Sequence, residues 1–377
     1  MLWDIFCRVI DNYGDIGVSW RLCADMAARG EQVRLWVDDA SALQWMAPGA
    51  AEGLWPGVHV LDWAPSGDKA VLATLPTADV WIETFGCEIA PAFIAHFAHA
   101  TAERGTRQPV WINLEYLSAE PYVERSHGLL SPVMQGPAKG WHKFFFYPGF
   151  TELTGSLLRE PGLMQEMALH ADAKLRADFF TRIGVRPEAA TQDERLVSLF
   201  CYEPPLLQAL LDQLAVCDTP VHLLVTAGRA THAVQALWGQ QTLRGSLRID
   251  YLPALTQKEF DQLLWHCDIN FVRGEDSVVR ALWAGKPFVW HIYPQDDLAH
   301  AAKLEAFMQQ MQWGQSVCHL HRAWNGLLPT GRQDPALLPL SKEALGQWQQ
   351  EVQAARARLL KLDDLCSQLV QFALKNR

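Results

Sequence analysis

Long apolar runs are missing from this sequence. No stretch approaches the roughly 18 consecutive apolar residues that a membrane-spanning helix needs, so we expect no membrane association. The opening MLWDIFCRVIDNYGD carries Asp4 and Arg8 where the apolar centre of a signal peptide would lie, and it predicts a first β-strand instead. No CxxC pair occurs among the eight cysteines. This predicts buried, reduced thiols in a cytoplasmic protein, without a disulfide framework or a zinc site.

Positively charged residues are also fewer than negatively charged ones. Lysine and arginine number 32 against 42 aspartates and glutamates, a formal net charge of −10, which argues against general binding to nucleic acid. Hydrophobic residues make up 49% of the chain and charged residues 20%, as in globular proteins with full cores. The length of 377 residues fits two domains of about 100–200 residues each.

Short β-rich apolar runs alternate with helical patterns, the arrangement of doubly wound α/β domains. The first series contains LWDIFCRVI, a helix over 18–28, QVRLWVDD, ADVWIETFG and PVWINLEYL. The second contains RLVSLFCY, VHLLVTAG, LRIDYLP, DINFVRG and PFVWHIY, with helices over about 205–216, near 233, over 257–266 and over about 277–284. We predict one Rossmann-like domain over 1–155, completed by a C-terminal helix at about 360–377, and a second over 156–359, facing each other across a central cleft.

The stretch VIDNYGDIGVSW falls between the first strand and the first helix, where a doubly wound fold places its functional loop. It lacks the GxGxxG of dinucleotide-binding proteins, and a carboxylate at Asp15 would repel a pyrophosphate. Two acids, Asp11 and Asp15, in one glycine-containing turn predict a general base and a residue that orients the acceptor or the loop. The alternative for either aspartate is helix N-capping, which contributes about 1 kcal/mol.

The stretch DINFVRGEDSVVRALWAG joins a strand pattern to a helix pattern. Glu275, Asp276 and Ser277 therefore lie at a predicted helix N-terminus, where backbone N–H groups and the helix dipole favour anions. Arg273 just before them can form bidentate hydrogen bonds to phosphate, and an acid beside a diphosphate can bind a sugar hydroxyl. The alternative is dipole compensation with a surface ion pair. No DxD triplet or His/Cys ligand set accompanies the stretch, so no metal is expected.

Aromatic residues follow other strands of the second series at the same predicted sheet edge. Phe200 and Tyr202 follow one strand and Tyr251 ends another, which predicts a slot for stacking a nucleotide base. Closing the core is the alternative for such aromatics. Gln257 opens the next helix and either caps it or hydrogen-bonds a base or phosphate.

The stretches VIDNYGDIGVSWRL, WINLEYLSAE and LLWHCDINFVRGEDSVVRALWAGKPFVWHIYPQDD resemble the bacterial protein-arginine rhamnosyltransferases of translation elongation factor P, the EarP family. The resemblance runs through most of the chain. It implies a metal-independent, inverting GT-B glycosyltransferase without a cofactor, whose donor substrate is dTDP-β-L-rhamnose. Its protein partner would be elongation factor P, which rhamnosylation of one arginine would activate for the rescue of polyproline-stalled ribosomes.

The resemblance also implies roles for single residues. Asp15 takes the position of the general base with Asp11 beside it, and Glu275 takes that of a second essential acid. The positions that bind the donor are Phe200, Tyr202, Tyr251, Gln257, Arg273, Glu275, Asp276 and Ser277. At a strand end of the first domain, we expect the protein acceptor to contact Asn113, Glu115 and Tyr116.

Two other functions are compatible with the same residues. One is a GT-B transferase with another nucleotide sugar and a small or lipid-linked acceptor, which commonly has a basic, apolar membrane-docking face that the first domain lacks. The other is a catalytically idle protein that only binds a nucleotide or a partner. Such a protein needs no acid in both domains, whereas Asp15 and Glu275 supply one in each.

Overall fold

A computed structural model gives the fold and describes residues 1–10, 13–185, 194–295, 297–328 and 338–377. The chain divides into two compact units, one formed by residues 1–161 together with 362–377 and the other by residues 162–361. Each unit is built on a mostly parallel β-sheet. No helix in the described part of the chain combines the length and apolar character needed to cross a membrane.

The first unit contains a seven-stranded sheet. Its strands are β1 (Leu2–Cys7), β2 (Gln32–Val37), β3 (Val58–Asp62), β4 (Val80–Thr84), β5 (Val110–Leu114), β6 (Leu130–Pro132) and β7 (His142–Phe146). They lie in the order β3-β2-β1-β4-β5-β7-β6, and β6 runs antiparallel to β7. The helices of this part of the chain are α1 (Gly14–Ala28), α2 (Leu43–Met46), α3 (Lys69–Leu72), α4 (Pro91–Arg104) and α5 (Tyr122–Ser126).

Strand β1 shows why these apolar runs become central strands. Its side chains alternate between the two faces of the sheet, so Trp3, Ile5 and Cys7 enter one hydrophobic core while Phe6 enters the other. Because helices cover both faces, a central strand of a parallel sheet buries its side chains on both sides, and the one charged residue of β1, Asp4, is paired with Arg34 at 2.6 Å.

The second unit contains a six-stranded sheet. Its strands are β8 (Arg195–Leu199), β9 (Val221–Val225), β10 (Leu243–Arg244), β11 (Leu247–Tyr251), β12 (Ile269–Arg273) and β13 (Phe288–His291). They lie in the order β10-β11-β9-β8-β12-β13, and only the pair of β10 with β11 is antiparallel. The helices are α6 (Leu163–Leu169), α7 (Ala173–Arg182), α8 (Leu207–Ala215), α9 (Arg229–Trp238), α10 (Gln257–His266), α11 (Glu275–Ala284), α12 (Ala299–Met311), α13 (Gln315–Trp324) and α14 (Lys342–Leu359).

Both units share one strand order. Counted along the chain, five parallel strands lie in the order 3-2-1-4-5 in each sheet. In such sheets the chain reverses direction between the first and fourth strands, and ligands bind at the carboxyl ends of those strands. The strands that define these switch points are β1 and β4 in the first unit and β8 and β12 in the second.

The last helix, α15 (Leu365–Asn376), belongs to the first unit, where its apolar face joins the same core as β1. Arg29 at the end of α1 fastens it: the guanidinium contacts Asp25 at 2.9 Å and Asp364 at 2.8 Å. Asp25, Asp364 and Cys366 lie close enough together to hold a metal ion. The guanidinium between the two carboxylates supplies the positive charge that the cluster needs, so we interpret it as structural.

Four helix starts differ from the predictions, including α8, which begins at Leu207 and not at about 205, and α15, which begins at Leu365 and not at about 360. Helix α1 begins at Gly14 and not at residue 18, and α11 begins at Glu275 and not at about 277. The glycines at 14 and 17 predict a turn, but the Gly17 N–H already donates to the Tyr13 carbonyl at 3.0 Å, as a helical residue does. Helix α10 spans Gln257–His266, as predicted.

Candidate functional site

The switch point of the second sheet brings three of the predicted donor-binding residues into contact. Strands β8 and β12 are paired through Phe271 and Leu199, and the Phe200 N–H donates to the Phe271 carbonyl at 2.9 Å. The segment after β8 and the end of β12 therefore leave the sheet side by side. This register places Phe200 and Tyr202 next to Arg273.

Arg273 lies against both aromatic rings. Its guanidinium carbon is 4.5 Å from the ring centroid of Phe200 and 4.6 Å from that of Tyr202, and Nη1 donates to the Cys201 carbonyl at 3.3 Å. Burial lowers the pKa of Arg273. Within the described ranges, no carboxylate lies at ion-pair distance from it. A guanidinium oriented by aromatic rings, with most of its donors uncommitted to carboxylates, is suited to bind an anion.

The two rings also have other neighbours. Tyr202 is buried, its N–H donates to His291 Nδ1 at 3.2 Å, and its ring meets that of Tyr293 edge-on with the centroids 5.4 Å apart. The Phe200 ring meets Phe260 at 5.3 Å. The contacts of Tyr202 with His291 and Tyr293 fit the alternative in which the aromatic residue closes the core. Both the Tyr202 ring and the Phe200 ring also contact Arg273. The sequence pattern placed the aromatic residues and Arg273 at one sheet edge but did not predict that the rings contact the guanidinium.

Helix α11 begins directly after Arg273, with Gly274 as its N-cap at φ 74°. This positive φ favours glycine and turns the chain sharply from β12 into the helix. Glu275 is the first residue of α11, and its Oε1 lies 2.5 Å from Lys303 Nζ of α12. Both side chains are about one-fifth exposed, so the pair that the alternative interpretation placed on the surface is largely buried. Asp276 is half-buried and Ser277 is buried in the same first turn.

A buried ion pair fixes the direction of α11. The Arg280 guanidinium donates to both carboxylate oxygens of Asp261 on α10, at 3.0 and 2.8 Å. Arg280 is 2% exposed and Asp261 5%. Removal of either partner would leave an uncompensated buried charge. The pair ties α11, which begins at the site, to α10.

Tyr251 and Gln257 stand at the ends of β11 and α10. The Tyr251 hydroxyl is buried and has no hydrogen-bond partner within the part of the chain that the structure describes, and burial raises its pKa. Such an orphaned hydroxyl is a candidate ligand contact. Gln257 does not cap α10, because Thr256 forms a capping box with Glu259. The capping alternative for Gln257 is wrong.

Asp15 lies at the switch point of the first sheet. It is half-buried in the first turn of α1, and its Oδ2 accepts a hydrogen bond from the Ile10 N–H at 3.4 Å. Burial raises the pKa of the Cys7 thiol at the end of β1 to about 12, and the nearby Asp15 carboxylate adds to the rise. The N-cap of α1 is Tyr13, so the capping alternative for Asp15 is wrong. Asp11 lies outside the described residues.

The three predicted acceptor-side residues form a small group at the end of β5. Asn113 Nδ2 donates to Glu115 Oε1 at 2.6 Å, and the Tyr116 ring stacks on Phe85 with the centroids 4.6 Å apart. Burial raises the pKa of Glu115, against the opposing effects of Asn113 and Lys143. The structure therefore brings a carboxylate, an amide and an aromatic ring together at this edge.

Glu83 and Lys143 are polar residues of the same edge that the sequence reasoning missed. Glu83 is 3% exposed at the end of β4, is paired with Lys143, and lies beside Asn113 in the strand register. Burial raises the pKa of Glu83 although Lys143 opposes the rise. The signal in the sequence is the acid inside the apolar run DVWIETF. Its partner is 60 positions away, so the pattern alone could not supply it.

Comparison with solved structures gives the fold class. The chain matches a structure described as the structural basis for EarP-mediated arginine glycosylation of translation elongation factor EF-P, with a TM-score of 0.65, 31% identity, and coverage of 100% of this chain and 99% of that one. It also matches Arabidopsis thaliana UGT89C1 in complex with UDP-L-rhamnose, with a TM-score of 0.52 and 10% identity over 99% and 98% of the two chains. Two Rossmann-like units of this kind define the GT-B class of glycosyltransferases, which confirms the predicted fold class.

Sequence comparison then gives the family. The chain belongs to the elongation factor P (EF-P) rhamnosyltransferase family EarP, whose model matches residues 3–374. It is 42% identical over 390 residues to the protein-arginine rhamnosyltransferase of Pseudomonas putida, with 98% of each chain covered. It is 41% identical over 391 residues to that of Pseudomonas aeruginosa, again with 98% of each covered. The resemblance stated from the sequence motifs is confirmed.

Proposed function

We propose that this enzyme transfers L-rhamnose from dTDP-β-L-rhamnose to an arginine side chain of translation elongation factor P, with inversion at the anomeric carbon. The observation that carries the proposal is the Arg273 site at the second switch point, in a chain of this family. A half-buried guanidinium beside a helix N-terminus suits the diphosphate of a nucleotide sugar.

The second unit is proposed to bind the donor. Arg273, Asp276 and Ser277 hold the diphosphate, because they are the residues around the start of α11. Glu275, oriented by Lys303, accepts a hydrogen bond from a sugar hydroxyl. The proposed nucleotide contacts are the rings of Phe200 and Tyr202, the orphaned hydroxyl of Tyr251, and Gln257.

The first unit is proposed to bind the acceptor arginine. A guanidinium has a pKa above about 12 and delocalised lone pairs, so it is a poor nucleophile that needs orientation and a proton acceptor. Asp15 supplies the carboxylate, and Asp11 is the second acid proposed for this role. Asn113, Glu115 and Tyr116 contribute polar and aromatic contacts to the protein substrate at the end of β5.

The proposed reaction is a single displacement. A guanidinium nitrogen forms the new bond to the anomeric carbon while the bond from that carbon to the diphosphate oxygen breaks, and the nitrogen loses its proton to Asp15. The electron pair of the broken bond leaves with dTDP, whose charge Arg273 and the start of α11 stabilise. Attack opposite the leaving group converts the β-linked sugar into an α-rhamnosyl arginine. Positioning of both substrates contributes as much as basicity.

The proposed product is an elongation factor active in the rescue of ribosomes stalled at polyproline, which places the reaction in the cytoplasm. We expect no metal requirement, because fixed cationic and backbone donors at the second switch point would stabilise the leaving group. Activity that is unchanged by a chelator and by added Mg²⁺ is the expected result.

Incubation of the enzyme with elongation factor P and dTDP-β-L-rhamnose tests the proposal. Mass spectrometry should find one deoxyhexose on a single arginine, and NMR of the isolated glycopeptide should find the α anomer. A parallel thermal-shift assay with dTDP, UDP and GDP should give the largest stabilisation with dTDP. Transfer from another nucleotide sugar alone, or only to a small or lipid-linked acceptor, would contradict the proposal.

A further inference from the structure

Arg229 brings a second guanidinium to the ring that contacts Arg273. It is the first residue of α9, and α9 follows β9, the neighbour of β8 in the sheet. Its guanidinium carbon lies 5.6 Å from the Tyr202 ring centroid, while that of Arg273 lies 4.6 Å from the same point. Because both distances share one centroid, the two guanidinium carbons are at most about 10 Å apart. Nothing in the sequence pattern singled out Arg229.

Little negative charge compensates this pair of cations. The carboxylate of Glu203 lies 3.8 Å from Arg229, and the two side chains are 64% and 44% exposed. An ion pair of this length and exposure is weak and is screened by salt. Arg273 has no carboxylate at ion-pair distance within the described ranges, and Arg229 adds to the effect of burial in lowering its pKa. The two guanidinium groups thus create a positive potential beside one aromatic ring.

We propose that Arg229 is a second phosphate-binding residue of the donor site and that Glu203 competes with the donor for it. This inference rests on the proposed function, because it assumes that Arg273 binds the diphosphate. A nucleoside diphosphate carries more than one negative charge, and one guanidinium balances only part of it. A charge-assisted hydrogen bond to phosphate is stronger than the exposed Arg229–Glu203 contact, so the ligand displaces Glu203.

The proposal makes Arg229 and Glu203 act in opposite directions. Loss of Arg229 removes a favourable interaction with the diphosphate and weakens binding. Loss of the negative charge of Glu203 releases Arg229 from its competitor and strengthens binding. Residues that only maintained the fold would weaken binding in both cases.

Calorimetric titration of dTDP into the whole protein tests the proposal, at about 50 mM and about 500 mM salt. We expect Arg229→Ala to weaken dTDP binding by about 10-fold at the lower salt concentration, Arg229→Lys to recover part of the loss, and Glu203→Gln to tighten binding by about 2-fold. The difference between wild type and Arg229→Ala should shrink at the higher salt concentration because screening weakens a charge–phosphate attraction.

Arg244→Ala is the matched control. Arg244 also lies over an aromatic ring, 5.0 Å from the Trp238 centroid, and also pairs loosely with an exposed acid, Asp212, at 3.6 Å. The Arg244→Ala variant should bind dTDP with a dissociation constant within 2-fold of that of wild type. Equal affinity of Arg229→Ala and wild type at low salt would overturn the inference. So would a loss that is the same at both salt concentrations, because it would reflect geometry and not charge.

The same titrations separate this inference from the proposed function. If wild type binds no dTDP, or if Arg273→Ala binds it like wild type, the proposed donor site is wrong. If Arg273→Ala weakens binding and Arg229→Ala does not, the donor site stands and only the role of Arg229 is overturned.

Discussion

The guanidinium carbon of Arg273 lies 4.6 Å from the ring centroid of Tyr202. Tyr202 is itself held by the hydrogen bond from its N–H to His291, on the strand next to Arg273. The ring therefore orients the guanidinium and leaves its positive charge in place. A carboxylate in the same position would neutralise that charge. Several properties of the proposed donor site depend on this contact.

Arg273→Ala should weaken dTDP binding by about 10- to 100-fold, because a half-buried guanidinium supplies bidentate, charge-assisted hydrogen bonds to phosphate. Arg273→Lys should recover only part of the affinity, because an ammonium group lacks the planar fork. Calorimetry measures both dissociation constants, with Arg244→Ala as the comparison. An unchanged dissociation constant in Arg273→Ala would contradict the phosphate contact.

Asp15→Asn should lower the rate of arginine rhamnosylation by about 10²- to 10⁴-fold, because it removes the proton acceptor while keeping the size of the side chain. The affinity for dTDP should not change, since Asp15 belongs to the first unit. Asp39→Asn is a suitable control: this exposed aspartate of the same unit accepts a local hydrogen bond from the Ser41 N–H. Normal turnover in Asp15→Asn would remove the residue from the proposed role.

Glu275 and Lys303 should show strong coupling in a double-mutant cycle. Each single substitution, Glu275→Gln or Lys303→Met, breaks the contact of 2.5 Å and should lower kcat/KM by at least about 10-fold. In the Glu275→Gln background, the further change Lys303→Met should have little effect, because the carboxylate of Glu275 that Lys303 orients has already been removed. Additive losses in the cycle would show that the two residues act independently.

Buried histidines should make the second unit lose stability in acid. Burial lowers the pKa of His291 from 6.5 to about 3, and Arg273 adds to the effect. The pKa values of His266 and His321 are lowered to about 4, mainly by burial. Between these values and pH 6.5 the unfolded chain binds protons that the folded chain does not. The free energy of unfolding must therefore fall as the pH falls through this window.

The substitution His291→Asn should reduce the slope of the free energy of unfolding against pH. The largest reduction is about 1.4 kcal/mol per pH unit, which corresponds to one proton. Denaturant unfolding at several pH values between 4.5 and 7 measures the slope. His99→Asn serves as the control because His99 is 75% exposed and lies on a helix of the first unit. Parallel curves for wild type and His291→Asn would contradict a role for His291 in the acid sensitivity.

Most of the sheet framework could be predicted from local patterns. Runs such as RLVSLFCY and DINFVRG are apolar, β-branched and bounded by turn residues, and they form β8 and β12. Local patterns predict the start of α1 four residues too late, because glycines at 14 and 17 predict a turn when only the neighbouring residues are considered. Helical hydrogen bonding and burial of Gly17 outweigh that local preference.

The polar partners of the site could not be predicted in the same way. Lys303 is 28 positions from Glu275, Lys143 is 60 from Glu83, and Arg229 contacts Tyr202 from helix α9. Such pairs arise from strand order and helix packing. The spacing of residues along the sequence does not predict them. Residues at the carboxyl ends of predicted strands, in contrast, could be listed from the sequence because parallel topology places them at one edge.

The attachment of α15 to the first unit has a consequence for biosynthesis. Leu365, Cys366, Leu369 and Ala373 complete a core whose other members are mostly encoded in the first 160 positions. A ribosome therefore finishes the entire second unit before it supplies this final piece. The core of the first unit therefore cannot be completed until α15 has been synthesised, although most of that unit is made before the second one.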